Sequence, residues 1–297
     1  MCRFLAYLGK EVLLADLLYR PKNSLIRQSF RAQERIEPLN GDGFGVGWYA
    51  PEIADTPAVF TSVTPAWSNR SLRRLCDHVR SSCFFAHVRA APAGSAVSEE
   101  NCHPFQSGRY LWMHNGTIHG FQGIKRRLCN SLPDHLYQAI EGTTDSEHAF
   151  ATFLDLMERD TPVPCSGEDL GEALARTICR LEEWTAEAGV RAPSYLNFAV
   201  TDGVRMAAVR YVSDETLEPV SLYYLKPSRY QCCDGVGHMV GAPEGDQAVI
   251  VASERLTDPP DDWIRVAPNH VVSVEPDLRV TVGLITRSGI VTTRSTP

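Results

Sequence analysis

Apolar positions along the chain follow two periodicities. Short runs rich in β-branched and aromatic residues, bounded by turn residues, predict strands at MCRFLAYL, GFGVGWYA, AVFTSV, SCFFAHVRA and RYLWMHNGTI. The final third is strand-rich again, with YLNFAVTDG, RMAAVRYV, SLYYLK, AVIVASERL, HVVSVEP and a last hairpin. Helical spacing intervenes. SLRRLCDHV sets Leu72, Leu75, Cys76 and Val79 on one face. TDSEHAFATFLDLMERD carries Thr144 and Glu147 in capping-box register, ahead of Phe150, Phe153, Leu154 and Met157. A longer helix starts at Ser166 as N-cap and turns Leu170, Leu174, Ile178 and Leu181 inward. Asn40-Gly41 and Asp42-Gly43 are hairpin-type dipeptides, which places a tight reversal before GFGVGWYA.

Strands, then helices, then strands argue for an α+β fold rather than alternating βαβ units. Sheets built from both ends of the chain, with helices on their outer faces, predict a four-layer αββα sandwich. DTPVPCSG reads as a loop between helices and DPPDDW as a surface loop; no Pro/Gly/Ser-rich linker separates the halves. Residues 1–297 are therefore read as one domain.

Composition narrows the function classes. With 43% hydrophobic residues in 297, the chain can bury a sizeable core. A formal net charge of −7 argues against nucleic-acid binding, which needs a basic face. The one basic cluster, Lys125-Arg126-Arg127 in FQGIKRRL, reads as a solvated helix face. Arg3, Lys10, Glu11, Asp16 and Arg20 interrupt the first twenty residues, so no signal-peptide core is present, and no apolar run reaches membrane-span length. The expected location is the cytoplasm, with the nine scattered cysteines mostly reduced and buried. No CxxC occurs, Cys232-Cys233 is not a metal motif, and the nine histidines lack paired ligand spacing. Neither a metal nor a cofactor is expected.

Candidate chemistry begins at Cys2. Once Met1 is trimmed, thiol and free α-amine belong to one residue, and the amine, with a pKa of about 7.7–8.0, can serve as general base to its own nucleophile. Cys2 equally reads as a small buried hydrophobe opening a strand. Four further stretches collect polar residues where strands end: LNGDGFGVGWY, FAHVRAAPAG with Arg89, ENCHPF followed by MHNG, and GTTDSE. Singly, each has a structural reading: a turn, a surface ion pair, the hairpin dipeptide Asn115-Gly116, or an acidic first helical turn at Asp145.

Taken in order, Cys2, NGDGFGVGWY, AHVR, NCHPF, MHNG and TDSE resemble the class II glutamine amidotransferases, the N-terminal-nucleophile glutaminases. YLNFAVTDG and AVIVASERL extend the resemblance over nearly the whole chain. Two groups are most similar: the γ-glutamyl amidohydrolases of ergothioneine biosynthesis and, through RPKNSLIRQSF, TPAWSN, SEENCHPF, FQGIKRRL and GTTDSEHAF, the amidotransferase subunits of fungal glutathione degradation. The resemblance implies the αββα sandwich and assigns roles. Cys2 becomes the nucleophile, and Asn115 (side-chain amide) and Gly116 (backbone N–H) face the oxyanion. Arg89 takes the substrate α-carboxylate and Asp145 its α-ammonium. His114, beside Asn115, is counted with the substrate-binding positions. It is also read, with His87 and His103, as holding loops through backbone hydrogen bonds, because an α-amino base makes a Cys–His dyad unnecessary. Cys102 lacks a free amine and is read as structural. One departure stands out: Arg89-Ala90-Ala91-Pro92 lacks the Ser/Thr hydroxyls found after the family's arginine.

The expected activity is hydrolysis of a γ-glutamyl amide through a Cys2 thioester, releasing glutamate. The substrate is a small γ-glutamyl metabolite, glutathione-like or otherwise, and glutamine is another candidate. With no room in the chain for a synthase domain, a separate peptidase-like or synthetase partner chain is one expectation. A glutaminase subunit feeding ammonia to a synthetase, and a non-catalytic scaffolding subunit, are the competing readings.

Overall fold

The computed structural model describes residues 2–34, 39–92, 94–161, 165–233, 236–240, 246–257, 262–286 and 289–296, with the backbone alone described at 226–233, 236–240 and 293–296. Met1, most of the DPPDDW loop, the centre of DTPVPCSG and the Cys232-Cys233 thiols thus lie outside the described residues.

In chain order the elements are β1 (Arg3–Leu13), α1 (Leu14–Leu18), α2 (Leu25–Arg31), β2 (Phe44–Trp48), β3 (Ala58–Ser62), α3 (Arg70–Cys76) and β4 (Arg80–Val88). Then come β5 (Phe105–Ser107), β6 (Tyr110–Thr117), α4 (Phe121–Ser131), α5 (Asp134–Gln138), α6 (Asp145–Asp160) and α7 (Gly167–Glu187). The remainder is all strand: β7 (Tyr195–Thr201), β8 (Met206–Arg210), β9 (Tyr223–Cys233), β10 (Val236–Val240) and β11 (Ala248–Ala252). It ends with β12 (Trp263–Arg265), β13 (His270–Val274), β14 (Val280–Thr286) and β15 (Gly289–Thr296). The fold class is the α+β expected from the pattern, with two antiparallel sheets. Their strand orders are β10-β9-β11-β1-β4-β2-β3, with β12 on β9, and β15-β14-β13-β8-β7-β6-β5.

The chain divides into two compact units, the first comprising Met1–Met113, Asp202–Val204 and Ser221–Val266, the second the rest. In the first unit β1 lies mid-sheet, between β11 and β4. Its RFLAYL run is buried at every position, as a central strand covered on both faces must be. Leu5 and Tyr7 join Phe84, Ala86, Phe44 and Ile250 in one core with Leu14, Leu17, Leu25, Leu72 and Cys76 of α1, α2 and α3. Tyr7 and Phe84 are cross-strand partners whose rings stack at 5.2 Å. Cys76 and Leu72 point inward from α3, and Leu75 and Val79 pack at the rim of that core, as the spacing predicts.

In the second unit α7 packs against α6 and across β8 and β13. Leu170, Leu174, Ile178 and Leu181 are all buried, and Ser166 closes a capping box with Asp169. At α6 the expected box is only half made. Thr144 accepts the Glu147 N–H, but the Glu147 carboxylate turns to the N–H groups of Glu141 and Gly142, each at 2.8 Å. The preceding loop has unpaired donors of its own, and they win the carboxylate. Arg126 and Arg127 are exposed on α4, Arg127 paired with Glu187 over the Trp184 ring. No helix of the described residues is long and apolar enough to cross a membrane.

Phe84 is fully buried under the helices. Phe84→Ala is expected to destabilise the chain by about 3–5 kcal/mol, from lost transfer energy plus a cavity. The check is a lowered urea midpoint at unchanged m-value.

Candidate active site

The six candidate residues divide between the units: Cys2 and Arg89 in the first, His114, Asn115, Gly116 and Asp145 in the second.

Cys2 immediately precedes β1 and Arg89 immediately follows β4. The strands are antiparallel with Arg3 opposite Val88, so the start of one meets the end of the other. The Ala90 N–H points at Cys2 Sγ at 3.4 Å, and the thiol lies 3.7 Å from the Ala90 carbonyl. Cys2 is half-buried. On the other side of Arg89, its N–H donates to the Gly43 carbonyl at 2.8 Å and its carbonyl accepts the Asp42 N–H at 3.0 Å. The Asp42 carboxylate then takes the Ala91 N–H at 2.8 Å. The tight reversal expected from Asn40-Gly41 and Asp42-Gly43 before GFGVGWYA is not formed. Helix α2, not a strand, precedes this stretch, which instead runs alongside the end of β4 and fixes Arg89 from the second side. Gly43 makes that possible. Its φ is +116°, and a Cβ there would lie 2.7 Å from Cys102 Sγ.

The Arg89 side chain is 3% exposed. Nη2 donates to the Ala96 carbonyl at 3.0 Å, an acceptor shared with Asn101 Nδ2 at 3.2 Å. Nη1 is buried and finds no hydrogen-bond partner among the described residues. An unsatisfied buried donor on a cation is costly and calls for an anion. Cys102 is 2% exposed, and burial pushes its thiol up to about 11, with the nearby Arg89 cation only partly offsetting that. It is a protonated interior residue at neutral pH. The His87 and His103 rings lie 4.2 Å apart between centroids, tilted by 30°, with Phe105 4.5 Å from His103.

In the second unit His114 and Asn115 are buried at 2% and 0% exposure near the end of β6. Gly116 is required by close approach, since a Cβ would sit 1.8 Å from the Tyr195 carbonyl oxygen. Asp145 opens α6 behind the Thr144 cap, where the helix dipole favours an anion. Its Oδ2 accepts the Ile118 N–H at 2.8 Å, and its Oδ1 accepts the Ser146 hydroxyl at 3.2 Å. Ser146 Oγ is also 2.8 Å from His114 Nδ1, while Nε2 lies 3.3 Å from the Tyr195 carbonyl. Sequence reasoning places His114 and Asp145 near one motif each; the fold joins them through Ser146. Burial holds the His114 ring below the usual imidazole range, although Asp145 pulls the other way.

Four residues that hold these groups escape sequence reasoning: Arg3, Asp42, Ser146 and Glu254. Arg3 Nε meets Glu254 Oε1 at 2.7 Å, with the side chains 0% and 1% exposed. Removing one partner from such a buried pair costs roughly 3–5 kcal/mol. The available signal is a charge in an otherwise apolar strand, at both MCRFLAYL and AVIVASERL. Nothing in the spacing reveals that two charges 251 positions apart are paired.

Residues 22–283 match the family model of the class-II glutamine amidotransferases, and the chain belongs to that family. It is 40% identical over 293 residues to the probable glutamine amidotransferase DUG3 of Saccharomyces cerevisiae, covering 93% of this chain and 82% of that one. The γ-glutamyl-hercynylcysteine sulfoxide hydrolase of Mycolicibacterium smegmatis is 28% identical over 92% of this chain and 96% of its own length. Among solved structures, a glutamine aminotransferase class-II domain protein from Silicibacter pomeroyi superposes with a TM-score of 0.64 at 27% identity, covering 99% of this chain and 98% of that one. The protein is thus an enzyme of the amidohydrolase type, with the fold of the N-terminal-nucleophile amidotransferases.

A buried histidine held neutral couples stability to pH. The unfolded ring titrates near pH 6.5, so below that the unfolded chain takes up a proton that native His114 resists. Stability is expected to be full above about pH 7 and to fall as pH drops through about 6.5. His148, also pushed down by burial, adds to the fall. Urea midpoints measured from pH 8 to pH 5 check this, and His114→Gln should make the decline shallower.

Proposed function

We propose that this enzyme hydrolyses the γ-glutamyl amide bond of a small metabolite through a thioester on Cys2. With Met1 removed, the α-amine of Cys2 takes the thiol proton and the thiolate attacks the γ-carbonyl carbon. The oxyanion is received by the Asn115 side-chain amide and the Gly116 N–H, each worth about 3 kcal/mol at a preorganised site. The amine returns the proton to the leaving nitrogen as the C–N bond breaks. Water, deprotonated by the same amine, then attacks the thioester, freeing glutamate and the thiol.

A single observation carries the reading: the buried Nη1 of Arg89 has no acceptor among the described residues. A γ-glutamyl head is a zwitterion. Its α-carboxylate suits a guanidinium with a spare donor, and its α-ammonium suits Asp145, whose two protein donors leave lone pairs unused. Both named relatives fit this head group, one by its glutamine and one by its γ-glutamyl conjugate. The sequence resemblance favours a glutathione-like tripeptide as substrate.

Mass spectrometry should find Met1 absent from active protein; active protein that retains it overturns the amine-as-base step. Glutamate release is measured from glutamine, glutathione and γ-glutamyl amines with the isolated chain. Turnover by that chain alone dispenses with a partner subunit. Cys2→Ala is expected to abolish release with the unfolding transition unchanged, and turnover in that variant would sink the thioester route. Arg89→Lys, which cannot donate through a planar fork, should raise KM roughly ten- to hundredfold. An unchanged KM removes Arg89 from the carboxylate site.

A further inference from the structure

A mature N-terminal residue has no preceding peptide to hold it, so its aim depends on its own carbonyl and on the strand it opens. Here the carbonyl of Cys2 accepts a hydrogen bond from Arg3 Nη1 at 2.9 Å. That guanidinium is itself fixed by Glu254, whose Oε1 takes Nε at 2.7 Å. Glu254 is crowded with donors. It also accepts the Gln33 N–H at 2.9 Å, the Glu34 N–H at 3.1 Å and, more weakly, Asn23 Nδ2 at 3.4 Å. The carboxylate cannot swing without abandoning several bonds, and the guanidinium it holds cannot swing either.

We propose that the Arg3–Glu254 pair is the positioning device of the nucleophile, with Arg3 fixing the Cys2 carbonyl and Glu254 fixing Arg3. The carbonyl oxygen, the amine and the thiol-bearing Cβ all radiate from the Cys2 Cα–C unit. Anchoring the oxygen fixes the peptide plane and with it the Cα from which the amine and Cβ spring, and the Ala90 N–H and carbonyl contacts at Sγ limit the rotation about Cα–C that remains. Buried ion pairs are poor contributors to stability compared with apolar replacements of similar volume. Arginine is the residue that can do this, because one planar fork presents two donors to two acceptors at once. Lysine can meet Glu254 or the carbonyl, not both in fixed geometry. Arg3 and Glu254 are positioning residues and take no part in bond making.

The inference rests on Cys2 being the nucleophile, and the test separates the two. Arg3→Lys keeps a positive charge beside Glu254 and removes the fork. Two quantities are read: steady-state glutamate release, and the rate of Cys2 alkylation by iodoacetamide with peptide mapping. The expected result is kcat lowered at least about tenfold with KM within about twofold, since Arg89 is untouched, and Cys2 alkylation slowed in parallel. Wild-type kcat and alkylation rate in a folded Arg3→Lys protein overturn the positioning role even when Cys2→Ala is inactive. An active Cys2→Ala protein overturns the nucleophile reading, and this one with it. If Arg3→Lys does not fold, Glu254→Gln is read the same way; if neither variant folds, the pair serves stability and the proposal fails.

Discussion

The antiparallel register of β1 against β4 is the constraint on which the placement of Cys2 beside Arg89 depends. Arg3 lies opposite Val88, so the residue before one strand and the residue after the other must be neighbours. β1 is hydrogen-bonded on both sides, to β4 and β11, and its first six residues are buried on both faces. A slip of one residue would turn Leu5 and Tyr7 out of the helix-covered core and would move Cys2 away from Ala90. The hydrophobic core thereby sets the position of a thiol that contributes little to the core itself.

Charge is handled differently at Arg3, Arg89 and Asp145, the first two buried and the third partly so. Arg3 is neutralised by Glu254 and held by its network. Arg89 is given one carbonyl for Nη2 and nothing among the described residues for Nη1. Asp145 receives a backbone N–H and a hydroxyl at a helix N-terminus, a setting that favours an anion without a neutralising cation. Each guanidinium keeps one buried nitrogen without a partner among the described residues, Nη2 in Arg3 and Nη1 in Arg89, but a carboxylate is paired to Arg3 and none of the described carboxylates to Arg89. The pairing carboxylate, and not the mere presence of an arginine or of an idle donor, separates Arg3 from Arg89.

Much of the fold was legible because burial writes a periodicity. The continuous apolar run of β1, the stripe Leu170, Leu174, Ile178, Leu181 and the Ser166 cap each follow from local chemistry. The misses come from competition that no local rule records. Glu147 was drawn from its own helix cap by two loop N–H groups. Asn40-Gly41-Asp42-Gly43 carries turn dipeptides, yet its backbone pairs with Arg89 and its glycine admits Cys102. Helices α1 and α2 are five and seven residues long, too short to display a full amphipathic period.

By itself the sequence determined the longer elements, the α+β class, the family and the candidate side chains, because side-chain periodicity and motif order are properties of neighbouring residues. Only the tertiary structure decided which charges are paired and which are left waiting. Arg3 and Arg89 are indistinguishable as letters, each an arginine at an apolar strand's edge. Burial of both, and a carboxylate delivered to just one of them by the segment after β11, made them different.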